Sequence, residues 1–165
     1  GRKIPQTTTV PKAGEPLHRF LYKRQLDSLG AFGEIILRFI NWMGRPDEGP
    51  NGTQKLTLDE FEDKIRSRLN AYRPVVLGML YVKWSDSREV WLNHQVLAYH
   101  YTRTPDNLRI DLYDPNYPGR NDISIEAVKT PWGLKCVQRI GANTKQLYGF
   151  FMIPHQPVIP PSELA

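Results

Sequence analysis

One cysteine, Cys136, is the whole thiol content of this 165-residue sequence. That excludes an intrachain disulfide and says nothing of redox compartment. No apolar run approaches the roughly 18 residues a membrane span requires, so no membrane span is expected. No signal peptide is visible, and a chain that starts at Gly1 is expected to be a processed or truncated product. There is no internal repeat. Ser85, Ser87 and Ser124 lack the glycines of a nucleophile elbow, which argues against a serine hydrolase. No sequence feature assigns a cellular location.

What is present is ordinary globular material. A 40% hydrophobic, 24% charged composition at this length fits one domain able to bury a real core. The net charge of +5 favours solubility and anionic partners. Its basic residues are scattered apart from Arg2-Lys3, 19–24 and 66–73, and no nucleic-acid motif accompanies them. Nucleic acid is therefore not an expected partner.

The chain divides at Pro74. Before it, residues 1–16 read as an extended arm. Leu17, Phe20, Leu21 and Leu29 mark an amphipathic helix, Gly30 interrupts, and residues 32–43 form a more apolar second helix. Residues 44–54 hold two prolines and three glycines and read as a loop. Thr57 and Glu60 fit a capping box that would start a third helix, running to about Tyr72. After Pro74, the apolar run 75–82 reads as a buried strand. Further strands are expected at 94–102, 108–113, 123–127, 135–140 and 147–153. Helices first and strands second give an α+β domain over residues 1–153, with N-terminal helices beside an antiparallel sheet. Residues 154–165, with four prolines, form a tail.

Within the sheet half, Asn93-His94-Gln95-Val96-Leu97-Ala98-Tyr99 and Leu112-Tyr113-Asp114-Pro115-Asn116 stand out. Neighbouring antiparallel strands bring residues about 20 apart side by side, which puts Asp114 within reach of His94. A carboxylate on one imidazole nitrogen fixes the tautomer and leaves the other nitrogen to accept a proton. His94 and Asp114 are thus two thirds of a nucleophile–base–orienter triad.

These residues also carry a resemblance. Arg73-Pro74-Val75-Val76-Leu77-Gly78, then 93–99, then Tyr113-Asp114-Pro115-Asn116-Tyr117-Pro118-Gly119, resemble the papain-like cysteine peptidase fold. The branch they resemble most includes bacteriocin-leader processing domains. The resemblance runs over roughly residues 4–153 and implies a papain-like fold, with His94 as general base and Asp114 as its orienting residue. It also implies a cysteine at the start of an N-terminal helix, where the macrodipole and the imidazole lower its pKa, preceded by an oxyanion-hole glutamine. No cysteine precedes His94. Gly1 to Gln6 resembles the chain just after that helix, so the resemblance places the nucleophile on a separate N-terminal segment.

Other residues have plainer readings beside the functional ones. Cys136, in a late strand, reads as a small core residue. His100, an even six residues beyond His94, is expected on the same strand face. With Asp114 the two histidines would make a metal set, but the spacing is wider than metal-binding strands use, and no metal or other cofactor is expected. Trp42, Trp84 and Trp132 read as packing. Trp91, three residues before His94, and Gln95, beside it, are the candidates for substrate contact. His18 and His155 read as surface residues. Three functions follow: a cysteine peptidase or acyltransferase acting on a peptide or other acyl substrate, a silent binding module, or an assembly subunit on the same fold. The chain alone is expected to be inactive.

Overall fold

The computed structural model describes residues 12–28 and 33–154, side chains of 24–28 excepted. Of the arm expected over residues 1–16, the part before residue 12 lies outside the described residues, as do the break at Gly30 and His155 with the tail beyond it. Residues 12–15 are not extended but turn into the first helix, Glu15 N donating to Lys12 O at 3.1 Å. Helix α1 covers Pro16–Ser28. Proline suits a first helical turn, where its missing N–H would have no partner anyway. His18 is half-buried on this helix, its ring 6.1 Å from that of Tyr22. Helix α2, Glu34–Met43, buries Ile35, Phe39, Trp42 and Met43. That spacing draws one apolar stripe along a 3.6-residue period.

The third helix differs from its expected form. It begins at Thr53, not Thr57: α3 is Thr53–Glu60, continuing through a π-helical turn, Phe61–Ile65, into α4, Arg66–Asn70. No capping box is needed, because loop carbonyls do that work. Pro46 O accepts from Thr53 N at 2.9 Å and Asp47 O from Gln54 N at 3.1 Å. Thr57 and Glu60 are then free to serve the sheet. Thr57 Oγ1 accepts from Phe150 N, and Glu60 Oε2 from Met152 N at 3.0 Å. Glu60 also pairs with Arg38 and Lys64.

The second half is one antiparallel sheet of seven strands: β1 Val75–Leu80, β2 His94–Arg103, β3 Asn107–Tyr113, β4 Ile123–Thr130, β5 Gly133–Ile140, β6 Asn143–Leu147 and β7 Gly149–Ile153. The strand order is β6-β5-β4-β3-β2-β1-β7. The single strand expected at 147–153 is therefore two, broken at Tyr148, whose amide donates to Leu80 O at 2.8 Å. The two halves of that break sit on opposite edges of the sheet. Laid flat, six inter-strand spacings would hold those edges roughly 29 Å apart. One residue cannot span that gap, since consecutive Cα atoms are about 3.8 Å apart. The sheet must curl, and it forms a half-barrel.

Each face of the curl has its own cover. Phe61, Ile65 and Leu69 fill the inside, against Leu77 and Met79, Leu108, Ile110 and Leu112, and Ile123 and Ile125. Helix α2 covers the outside of β1 and β7, where the Phe39 ring lies 4.7 Å from Phe151 and Trp42 lies 5.1 Å from it. Gly78 is required there, because a Cβ would come within 2.8 Å of Phe39 Cζ. Full burial of a side chain such as Phe39 contributes about 1.5–3 kcal/mol.

One irregularity reorganises β2. Ala98 pairs with Leu112 and His100 with Asp111, so Tyr99 is an extra residue with no partner on β3. Such a bulge exchanges the two faces for everything beyond it. His100 therefore lies on the outer face, and not on the face of His94 as the even spacing predicted.

Candidate functional site

Four chain segments converge at one end of the half-barrel, on its inner side. His94 opens β2 opposite Met79, a fully buried residue of β1. Asp114 follows the last residue of β3, Tyr81 follows β1, and Gln138 lies within β5. Alternation carries Leu77, Met79 and Tyr81 inward on one strand and Leu134, Cys136 and Gln138 inward on another.

His94 Nε2 lies 2.8 Å from Asp114 Oδ1. The same oxygen accepts from the Asn116 backbone N–H at 2.9 Å, while Oδ2 accepts from Gln138 Nε2 at 3.3 Å. The Asp114 side chain is 2% exposed and that of His94 25%. Burial alone would raise the carboxyl's pKa. It is outweighed by the bond from His94, the Asn116 amide, the imidazole's charge and the Gln138 amide, which together hold Asp114 below the ordinary carboxylate range. An ionised Asp114 only accepts, so the imidazole proton of a neutral His94 sits on Nε2. Nδ1 has no hydrogen-bond partner among the described residues and presents a lone pair.

The approach to His94 is shaped by its neighbour, Asn93. Its Oδ1 accepts from Tyr81 N at 2.8 Å, and its Nδ2 donates to Val90 O at 3.1 Å. This ties the 3₁₀ turn Val90–Leu92 to the end of β1. Trp91 projects from that turn and is 75% exposed. Gln95 pairs with Gly78 and faces the outer side of the sheet, away from His94. The structure thus brings His94 and Asp114 together, sets Trp91 on the adjacent turn, and does not bring Gln95 to their side.

Cys136 is 2% exposed on the inner face of β5, its thiol directed at Leu134 O at 3.6 Å. Burial in apolar surroundings pushes the thiol's pKa up, the reverse of what a nucleophile needs. A hollow of about 450 Å³ between Thr102, Arg109, Glu126, Val128, Lys135 and Val137 lies at the opposite end of these strands and touches neither His94 nor Asp114. Among the described residues no group of three or more His, Cys, Asp or Glu is placed to hold a metal ion. None of the described helices is long and apolar enough to cross a membrane.

Sequence reasoning passed over Gln138, Tyr81, Asn93 and Asn116. The signal for Gln138 was a polar residue in an otherwise apolar inward series, Leu134, Cys136 and Ile140. Asn93 and Asn116 stand inside the His94 and Asp114 motifs, but residue order alone assigns them no role; the structure makes Asn93 Oδ1 the acceptor of the Tyr81 N–H and the Asn116 N–H a donor to Asp114. Compared with family models, with curated proteins and with solved structures, the chain matches none.

Proposed function

We propose that this chain carries the base and orienter of a papain-like cysteine peptidase or acyltransferase site, with His94 as general base and Asp114 as its orienting carboxylate. The nucleophilic thiol comes from a segment outside these 165 residues. The observation that carries this reading is the 2.8 Å contact between His94 Nε2 and a buried Asp114, which leaves Nδ1 as the acceptor. In the reaction so assigned, Nδ1 takes the thiol proton and the thiolate attacks the substrate carbonyl carbon. The imidazolium then gives its proton to the departing group, and water or an acceptor amine releases the acyl group by the reverse sequence. Trp91 forms one wall of the approach to His94.

A second reading, a silent binding or assembly subunit on the same fold, is favoured by one fact. The chain's own thiol, Cys136, is buried two residues along the strand from Gln138. Expressing the protein with the residues its gene encodes before Gly1, and labelling it with a thiol-directed electrophile near neutral pH, separates the two. Rapid labelling of an upstream cysteine that collapses in His94→Ala is the expected result. An upstream sequence without cysteine, or labelling indifferent to His94, selects the silent reading. Fast, His94-dependent labelling of Cys136 itself would overturn both.

A further inference from the structure

We infer that Tyr81 and Gln138 are positioning residues for the His94–Asp114 pair, joined to Asp114 by a relay of two buried hydrogen bonds. The inference rests on the function proposed above. Tyr81 Oη donates to Gln138 Oε1 at 2.7 Å, and Gln138 Nε2 donates to Asp114 Oδ2 at 3.3 Å. Tyr81, Gln138 and Asp114 are all buried.

Only one polarity satisfies this chain of contacts. An ionised carboxylate accepts and never donates, so it must meet the NH₂ end of the Gln138 amide. The amide oxygen then faces Tyr81 and requires a donor, which the phenol supplies. Burial, followed by the charge of Asp114, pushes the Tyr81 phenol's pKa up and keeps it protonated. Phenol, amide and carboxylate therefore run head to tail, and the imidazole N–H closes the line from the other side. Removing the phenol proton source would free the amide to turn its oxygen toward the carboxylate, where it repels.

A core requirement alone does not account for Gln138. Its inward neighbours along β5 are Leu134, Cys136 and Ile140, and an apolar residue would continue that series without a polar group to satisfy. Burying a polar group is tolerated where its bonds are made, and here both ends of the amide are used. The relay also reaches the sheet edge. Lys145 is the cross-strand partner of Gln138 on β6, and its Nζ lies 3.7 Å from the Tyr81 ring centroid. A cation over the ring face draws electron density from it and strengthens the O–H as a donor. The groups facing Asp114 are thus His94, Gln138 and the Asn116 amide, with Tyr81 and Tyr117 behind.

The test is nuclear magnetic resonance on the full 165-residue chain, following the Asp114 carboxyl carbon with pH and the His94 ring nitrogens at neutral pH. Tyr81→Phe removes one oxygen and keeps the ring, and Gln138→Met keeps the volume. Both should raise the Asp114 titration midpoint, Gln138→Met the more, because each weakens a donor that stabilises the anion. Both should also move the His94 Nε2 proton signal, and in the double variant Tyr81→Phe should add nothing to Gln138→Met. An Asp114 midpoint unchanged by Tyr81→Phe, or equal shifts from Tyr81→Phe in the two backgrounds, overturns the relay. Should Gln138→Met fail to fold, Tyr81→Phe decides alone. No nucleophile enters this readout, so the relay and the proposed hydrolase function fail separately.

Discussion

Two histidine–aspartate pairs on neighbouring stretches of the same two strands share one distance and almost nothing else. His94–Asp114 and His100–Asp111 both measure 2.8 Å. The first faces inward, with Asp114 2% exposed; the second faces outward, with His100 58% and Asp111 20% exposed. The companions of the carboxylates differ as well. Asp114 is surrounded by neutral donors, the Asn116 amide and Gln138, so the imidazole faces the full carboxylate charge. Asp111 also accepts from Arg109 Nε at 2.8 Å, so a permanent cation already balances it. A contact distance identifies a pair. What makes it chemically useful is a dry carboxylate with no cation competing for it.

The largest expected contrast is in stability. Asp114→Ala strands the Gln138 amide, the Asn116 N–H and the imidazole together, and should cost about 2–3 kcal/mol. Asp111→Ala breaks a partly exposed surface pair and should cost under about 1 kcal/mol. Urea unfolding at neutral pH measures both from the midpoints, provided the slopes agree. Equal losses would erase the distinction drawn above.

Acid should separate the pairs next. Asp114 has its pKa lowered in the folded chain, so its contribution is fully present above the unfolded carboxylate value of about 3.9 and is lost as pH falls through the folded value. Asp111 is lowered too, against the opposing effect of burial, by His100 and Arg109, and the sign is the same. Because Asp111 is screened by water, the wild-type slope of stability against pH below about 4 should flatten much more in Asp114→Asn than in Asp111→Asn. A matching flattening in both variants would show that burial confers no advantage.

The smallest effect is that of salt. At 1 M ionic strength the screening length is about 3 Å, so coupling between His100 and Asp111 should fall by a few tenths of a kcal/mol from its low-salt value. Coupling between His94 and Asp114 should hold. Double-mutant cycles at both salt concentrations measure the two directly. Salt sensitivity at His94 would mean that water reaches Asp114.

Part of this was legible in the order of residues. Apolar stripes at helical spacing before Pro74, and alternating strands after it, announced helices beside an antiparallel sheet. The His94 and Asp114 motifs announced a pair, since strands adjacent in sequence tend to be adjacent in space. The misreadings came where a local pattern was overruled from a distance. Thr57 and Glu60 look like a capping box, but loop carbonyls from Pro46 and Asp47 start the helix earlier and turn both side chains to β7. His100 looks aligned with His94 until the bulge at Tyr99 reverses the face. Residues 147–153 look like one strand, and Tyr148 instead joins the two edges of the sheet.

By itself, then, the sequence determined the elements, because hydrophobic periodicity and breakers such as Pro74 act within a few residues of themselves. It determined as well that a histidine and an aspartate would meet, because a short hairpin leaves few registers. The tertiary structure alone decided which face His100 would take and how dry Asp114 became. Both depend on contacts between segments far apart in the chain. The curl forced by Tyr148 and the bond from Gln138 to Asp114, 24 residues away, belong to the packed molecule.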